Sequence, residues 1–176
     1  DISAGTGFSL AVMADGTLWG WGINTEGQLG LGYADDTRVN RMTRIGNDTD
    51  WRAVSAGWSY SFGIKQDGSL WAWGDNSTGR LGFDASVTQL NEPTLVSDAA
   101  WSQVVAYQGH AAGIREDGTL WAWGWNEHGQ LGIGDKVNPW AITQVGTDTD
   151  WATVDVGEIH TVALKTDGSL WGLGSN

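Results

Sequence analysis

With 176 residues the chain is long enough for one ordinary domain, and its 21 acidic against 9 basic side chains give a net charge of −12. Such a surface excludes nucleic acid as a partner, because affinity for phosphate backbones rests on Lys and Arg displacing counterions; a basic protein partner, or none, fits better. There is no cysteine, hence no disulfide and no thiol nucleophile, and no apolar run approaches the roughly 18 residues that insertion into a bilayer requires, so the chain reads as soluble.

The same elements return about every fifty residues. Three copies are led by a tryptophan segment: Trp51-Arg52-Ala53-Val54-Ser55-Ala56-Gly57, Trp101-Ser102-Gln103-Val104 and Trp151-Ala152-Thr153-Val154. A segment rich in small residues follows, Ser59 to Gln66 in the second copy and Gly109 to Glu116 in the third. Its alternating stretch Phe62-Gly63-Ile64 predicts a strand. Next comes the clearest mark, Asp15-Gly16-Thr17-Leu18-Trp19, repeated from Asp67, Asp117 and Asp167 at spacings of 52, 50 and 50 residues. The Asp-Gly pair predicts a two-residue hairpin loop with positive φ values, after which the chain returns as Leu70-Trp71-Ala72-Trp73-Gly74.

In that return strand a period of two puts Trp71 and Trp73 on one face and Leu70, Ala72 and Gly74 on the other. The small position is Gly20, Ala72, Ala122 and Gly172 in the four copies. Large rings on one side and almost nothing on the other suit sheets stacked face to face, as in radially arranged blades. Asn24, Asn76 and Asn126 then introduce Gly27-Gln28-Leu29-Gly30, Gly79-Arg80-Leu81-Gly82 and Gly129-Gln130-Leu131-Gly132, loops whose leucine anchors in the core. Short apolar segments at Met42 to Ile45, Thr94 to Val96 and Ala141 to Val145 predict a fourth strand. No helical period is sustained, so the chain is expected to be all-β, and a repeat of this length means a propeller or a solenoid.

Three pieces carry a family resemblance: Trp-x-x-Val-x-Ala-Gly, the run from His160 to Gly174, and Gly-Gln-Leu-Gly. Together they resemble the regulator of chromosome condensation repeat. The resemblance implies a β-propeller of that type, seven-bladed when complete and with four-stranded blades. About four blades fit in this chain, as a single partial propeller domain over 1–176 with repeats at approximately 1–50, 51–100, 101–150 and 151–176. The fourth copy stops at Asn176, where its glycine loop is due. A partial ring is therefore expected, completed by further chain or by a second copy of itself. The family spans a guanine-nucleotide exchange factor, an ultraviolet-B photoreceptor, a secreted β-lactamase inhibitor and many bacterial extracellular proteins. The chain resembles the last group, which implies an extracellular or cell-surface location.

Ten of the thirteen tryptophans fall on repeat positions and read as scaffold. Trp58, Trp125 and Trp140 do not; other copies carry Thr6, Gln108 and Glu158, or Ile23 and Asp75, at the first two sites. Residues that break a repeat without serving the shared fold are where a propeller keeps its function. With His128, these three are the candidate partner-binding residues. The photoreceptor's Gly-Trp-Arg-His-Thr motif is not matched at Gly57-Trp58-Ser59-Tyr60-Ser61, where the arginine is missing. The family histidine, here His110 and His160, is Phe8 and Tyr60 in the first two copies, so it reads as a packing position.

No catalytic, cofactor-binding or metal residue is expected. Gly-x-Ser-x-Gly and phosphate-loop patterns are absent, and His110, His128 and His160 lack ligand spacing. The doublets Asp48/Asp50 and Asp148/Asp150 read as turn or capping residues in preference to calcium ligands. Asn47 and Asn76 begin glycosylation acceptor patterns. The expected function is a non-enzymatic protein–protein interaction scaffold presenting variable loops at 33–41, 83–92 and 133–140. Alternatives are a lectin-like carbohydrate-binding module and a structural subunit of a surface polymer.

Overall fold

A computed structural model describes residues 1–175, and every regular element in it is a strand. Four antiparallel sheets follow one another along the chain. The first is β1 (Ile2–Ala4), β2 (Phe8–Val12), β3 (Leu18–Asn24) and β4 (Asp35–Ile45); the second is β5 (Trp51–Ala56), β6 (Tyr60–Lys65), β7 (Leu70–Asp75) and β8 (Gln89–Ser97). The third is β9 (Trp101–Ala106), β10 (His110–Arg115), β11 (Leu120–Gly124) and β12 (Thr143–Gln144), and the fourth is β13 (Trp151–Val156), β14 (His160–Lys165) and β15 (Leu170–Gly174). Each is a meander, so strand order in space equals order in sequence. These are the blades of an unclosed propeller arc, as the repeat implied. The fourth glycine loop, due at Asn176, lies outside the described residues.

The hairpin after the second strand of each blade differs from the two-residue loop expected. Met13 N–H donates to Thr17 O (2.9 Å) and Gly16 N–H to Met13 O (3.0 Å), which leaves three residues, Ala14, Asp15 and Gly16, in the loop. Gly16 alone is left-handed, at φ 76°, and no described non-glycine residue has positive φ. This is a turn followed by a left-handed glycine, the usual three-residue solution. Asp15 contributes its carboxylate instead of an unusual backbone angle. Its Oδ1 accepts from Thr17 N (3.1 Å) and Thr17 Oγ1 (2.6 Å), and Thr17 Oγ1 accepts from Trp19 Nε1 (2.8 Å).

The same circuit joins Asp67, Ser69 and Trp71, and Asp117, Thr119 and Trp121. The repeated Asp-Gly-Thr/Ser-Leu-Trp is therefore a hydrogen-bonded chain that fixes an indole, which is why the third residue must carry a hydroxyl. Hydrogen bonds from Thr17, side chain first and then backbone, hold the Asp15 carboxyl below the usual carboxylate range. Gly118, at φ 78°, has room for no side chain, since a Cβ there would lie 2.1 Å from Thr149 O. Gly118→Ala is expected to destabilise the fold by about 2 kcal/mol, to be read from the urea midpoint.

The core lies between blades. Trp51 and Trp73 of the second blade pack against Phe8, Leu10, Leu18, Leu29 and Ile45 of the first. Trp101 and Trp123 repeat this on Tyr60, Ile64, Leu70 and Leu81, and Trp151 does so on Ile114, Leu120, Leu131 and Val145. The small position makes the room: a Cβ on Gly20 would already touch Ile45, Leu29 and Leu10 at 3.0 to 3.2 Å. Contrary to the reading of all ten repeat-position tryptophans as core, several are only partly buried. Trp19, Trp71 and Trp121 are half-buried, and Trp171 is 48% exposed because β15 has no fourth strand beside it among the described residues.

Polar groups complete the joints. Val54 N–H donates to Asp1 Oδ2 (3.0 Å), Ala106 N–H to Ser55 Oγ (2.9 Å) and Val154 N–H to Gln103 Oε1 (3.1 Å), stitching the first strand of each blade to the next. Asn24, Asn76 and Asn126 are fully buried and accept from Leu29, Leu81 and Leu131 N–H at 2.9 to 3.0 Å. Asn76 also donates to Val87 O (2.7 Å), so its acceptor pattern offers no accessible amide to a glycan. Asp48 and Asp50 hold Lys65 at 2.7 and 3.2 Å, and Asp148 and Asp150 hold Lys165 at 2.6 and 2.9 Å. These doublets neutralise lysines that lie over the tryptophan pairs.

Candidate functional site

The turns between the first two strands of each blade, at 5–7, 57–59, 107–109 and 157–159, share one end of the arc with the glycine loops after the third strands. Neighbouring turns are tied: Thr6 N–H donates to Gly57 O (3.3 Å) and Trp58 N–H to Tyr107 O (2.7 Å). Trp58 is thus held by its backbone at the joint between two blades while the residue as a whole is 51% exposed. Clefts open on both sides of it. One, about 250 Å³, is lined by Trp58, Arg80, Gln108, Gly109, Trp125 and Glu158 among others. The other, about 500 Å³, includes Ile23, Glu26, Trp58 and Asp75.

Of the four candidates, three gather here. Trp125 rests against Gly109, where a Cβ would meet its Cβ and Cε3 at 3.1 and 3.2 Å. His128 meets Trp125 edge-on, with ring centroids 5.1 Å apart and an interplanar angle of 87°. Trp140 stands apart from the lining of this cleft. It rests on Gly79 of the preceding blade, where a Cβ would come within 3.0 Å of Trp140 Cα, just as Asn91 rests on Gly27 one joint earlier. The residue is 36% exposed.

Sequence reasoning missed three residues of the site. Arg80 occupies the place of Gln28 and Gln130, whose Oε1 atoms accept from Glu26 N–H (2.9 Å) and His128 N–H (3.0 Å) and brace their own loops. Arg80 instead pairs with Asp75 Oδ2 at 3.1 Å and donates to Thr78 Oγ1 (3.1 Å), Ser77 Oγ (3.3 Å), Ser59 Oγ and Gln108 O (both 3.4 Å). The break in Gly-Gln-Leu-Gly was its signal. Gln108 and Glu158 come from turns of the third and fourth blades, and no motif marks them.

His110 is no part of this surface. It is fully buried, with Nε2 2.9 Å from Thr161 Oγ1, and Tyr60 Oη donates to its carbonyl at 2.7 Å. Burial first, and His160 second, push His110 down to about 4. Among the described residues no group of three His, Asp or Glu side chains is placed to hold a metal ion, and no helix is long and apolar enough to cross a membrane. What the site offers is two indoles and the unpaired carboxylates of Glu26 and Glu158, groups that can stack and pair.

Comparison with known proteins agrees with this architecture. The "Regulator of chromosome condensation (RCC1) repeat" matches residues 15–64, 67–113 and 117–164, and a second description of the same repeat matches 1–28, 51–80 and 101–130. The ultraviolet-B receptor UVR8 of Arabidopsis thaliana is 34% identical over 95 residues, covering 54% of this chain and 21% of the receptor. Among solved structures, human WBSCR16 superposes with a TM-score of 0.86 at 21% identity, over 100% of this chain and 47% of that one. Yeast RCC1 (Prp20), solved with Kap60 bound, gives 0.83 at 21% identity over 100% and 42%. The chain spans less than half the length of each of these proteins.

Proposed function

We propose that this chain, which belongs to the regulator of chromosome condensation repeat family, is a non-enzymatic scaffold that binds another protein at the Trp58 end of its blades. The observation that carries the reading is an exposed tryptophan fixed by its backbone at a blade joint, beside a second one, in a cleft built from residues that depart from the repeat. Rigid aromatic rings on a preformed surface are what dominate protein-binding energies. Yeast RCC1 (Prp20), of the same architecture, is itself seen with a protein partner, Kap60. Trp140, at the same joint between the second and third blades, extends the proposed surface outward.

The same reading has the arc completed into a ring, by further blades of this kind or by a second copy. Support comes from apolar groups on the open flanks, with Ile2 81% and Leu170 72% exposed. The test of the binding role is a photo-crosslinker at position 58 in the source cells, with the captured protein then titrated against purified variants. The double variant Trp58→Ala/Trp125→Ala is expected to fold normally and to bind that protein about thirtyfold more weakly. Undiminished binding would remove this end of the arc as the site.

A further inference from the structure

We infer that the cleft between Trp58 and Trp125 receives an arginine side chain from a basic segment of the partner, with Glu158 as its counter-ion. The inference rests on the protein-binding reading and adds the chemistry of what is bound. At about 250 Å³ the cleft falls below the roughly 300–1,000 Å³ of small-molecule sites and suits a single long side chain. Its apolar walls are two indoles, which attract a cation over their faces.

Charge selects the sign of the occupant. Arg80, the cation in the lining, has all three of its nitrogens engaged and is neutralised by Asp75 at 3.1 Å, so it has little to offer an incoming anion. Glu158 is exposed at the cleft, with Glu127 and Glu26 on the adjoining loops, and none of the three has a basic partner within 4 Å among the described residues. The uncompensated charge in the cleft lining is therefore that of Glu158, in a chain of net charge −12. A cationic segment is drawn to it and an acidic one repelled.

The chain uses the same arrangement internally. Lys65 Nζ lies 5.1 Å from the Trp51 ring and 4.6 Å from the Trp71 ring, with Asp48 at 2.7 Å. Arg115 lies 3.7 Å from the Trp121 ring and 5.0 Å from Trp101. Between Trp58 and Trp125 the walls and the carboxylate are present, while the cation in the lining, Arg80, lies over the Tyr60 ring (5.6 Å) and pairs with Asp75, leaving Glu158 without a cation of its own. Guanidinium suits the place better than ammonium, because a planar group stacks on an indole while forking to a carboxylate.

The test is calorimetric titration of the purified protein with a blocked Gly-Arg-Gly-Arg-Gly peptide and its citrulline, lysine and glutamate counterparts. The arginine peptide should bind, more weakly as salt rises. Citrulline, which keeps the shape and loses the charge, should bind about tenfold more weakly, and lysine a few-fold more weakly. Glu158→Gln, an exposed change that leaves the fold intact, should weaken the arginine peptide about fivefold and Trp58→Ala about tenfold; Glu116→Gln at the opposite end should change nothing. Equal binding of the citrulline peptide, preference for the glutamate peptide, no effect of Glu158→Gln, or no heat from millimolar arginine peptide each overturns the inference. The crosslinking result at position 58 would be untouched by any of these, so the two ideas fail separately.

Discussion

Replacing Trp123 by alanine is expected to destabilise the protein by about 5 kcal/mol, a large share of the total stability of an ordinary domain. The ring is fully buried between the second and third blades and meets Phe62 at 5.4 Å and Trp101 at 5.9 Å, both edge-on. Its removal leaves a cavity that stacked sheets cannot close without shifting a whole blade, and that term alone is about 3–5 kcal/mol. Trp123 Nε1 also donates to Arg80 O at 3.0 Å. The equivalent carbonyl one joint earlier, Gln28 O, accepts from both Trp73 Nε1 (2.9 Å) and Ser61 Oγ (2.7 Å). At the later joint Ala111 stands where Ser61 does, so Trp123→Ala strands a carbonyl that Trp73→Ala would leave capped.

Trp123→Ala should therefore cost about 1 kcal/mol more than Trp73→Ala in urea unfolding. The same variant releases the backbone of Arg80, so residual binding at the Trp58 cleft should fall even where the protein is still folded. Equal destabilisation by the two substitutions would show that packing alone, and not the carbonyl, sets their cost.

The legible part of this protein was the part that repeats. Every joint makes the same demand for a ring on one sheet and a hollow on the next, so Trp73 and Gly20 could be assigned to facing surfaces from period alone. The length of the hairpin loop is not legible in the Asp-Gly pair, because that pair serves both loop lengths. What separates them is whether the aspartate takes a left-handed backbone or turns its carboxylate onto Thr17, and that choice is made by the hydroxyl two residues on. Arg80 was visible only as a departure, since its partner Asp75 belongs to the preceding strand end and Gln108 to another blade. Trp125 and Trp140 looked alike as off-repeat rings. Gly109 seats one beside the cleft and Gly79 seats the other in a joint, a difference of neighbours that no spacing within either loop encodes.

Acid should weaken the joint between the third and fourth blades, through His110. Thr161 Oγ1 donates to Gln130 O at 2.8 Å, so its lone pair faces His110 and the imidazole must carry its proton on Nε2. Nδ1 is buried with no hydrogen-bond partner. A second proton would have to enter there, against burial and against His160, and the group is held down at about 4. In the unfolded chain an ordinary histidine titrates near 6.5. Between about pH 6.5 and pH 4 the unfolded state thus binds a proton that the folded state refuses, and stability falls as pH falls across that window by about 3 kcal/mol. Above it both states are neutral at this position, and below it both are charged, so neither range adds to the effect.

Phe8 occupies the same place in the first blade, and His110→Phe should fold, because Thr161 keeps its bond to Gln130. Carboxylates elsewhere titrate alike in both proteins, so the difference between their urea unfolding free energies isolates the histidine. Relative to its value at neutral pH, the stability of the native protein should drop by about 2–3 kcal/mol more than that of His110→Phe on going to about pH 4.5. A native protein no more acid-sensitive than the variant would mean that the buried nitrogen finds an acceptor when protonated, and that the joint tolerates the charge.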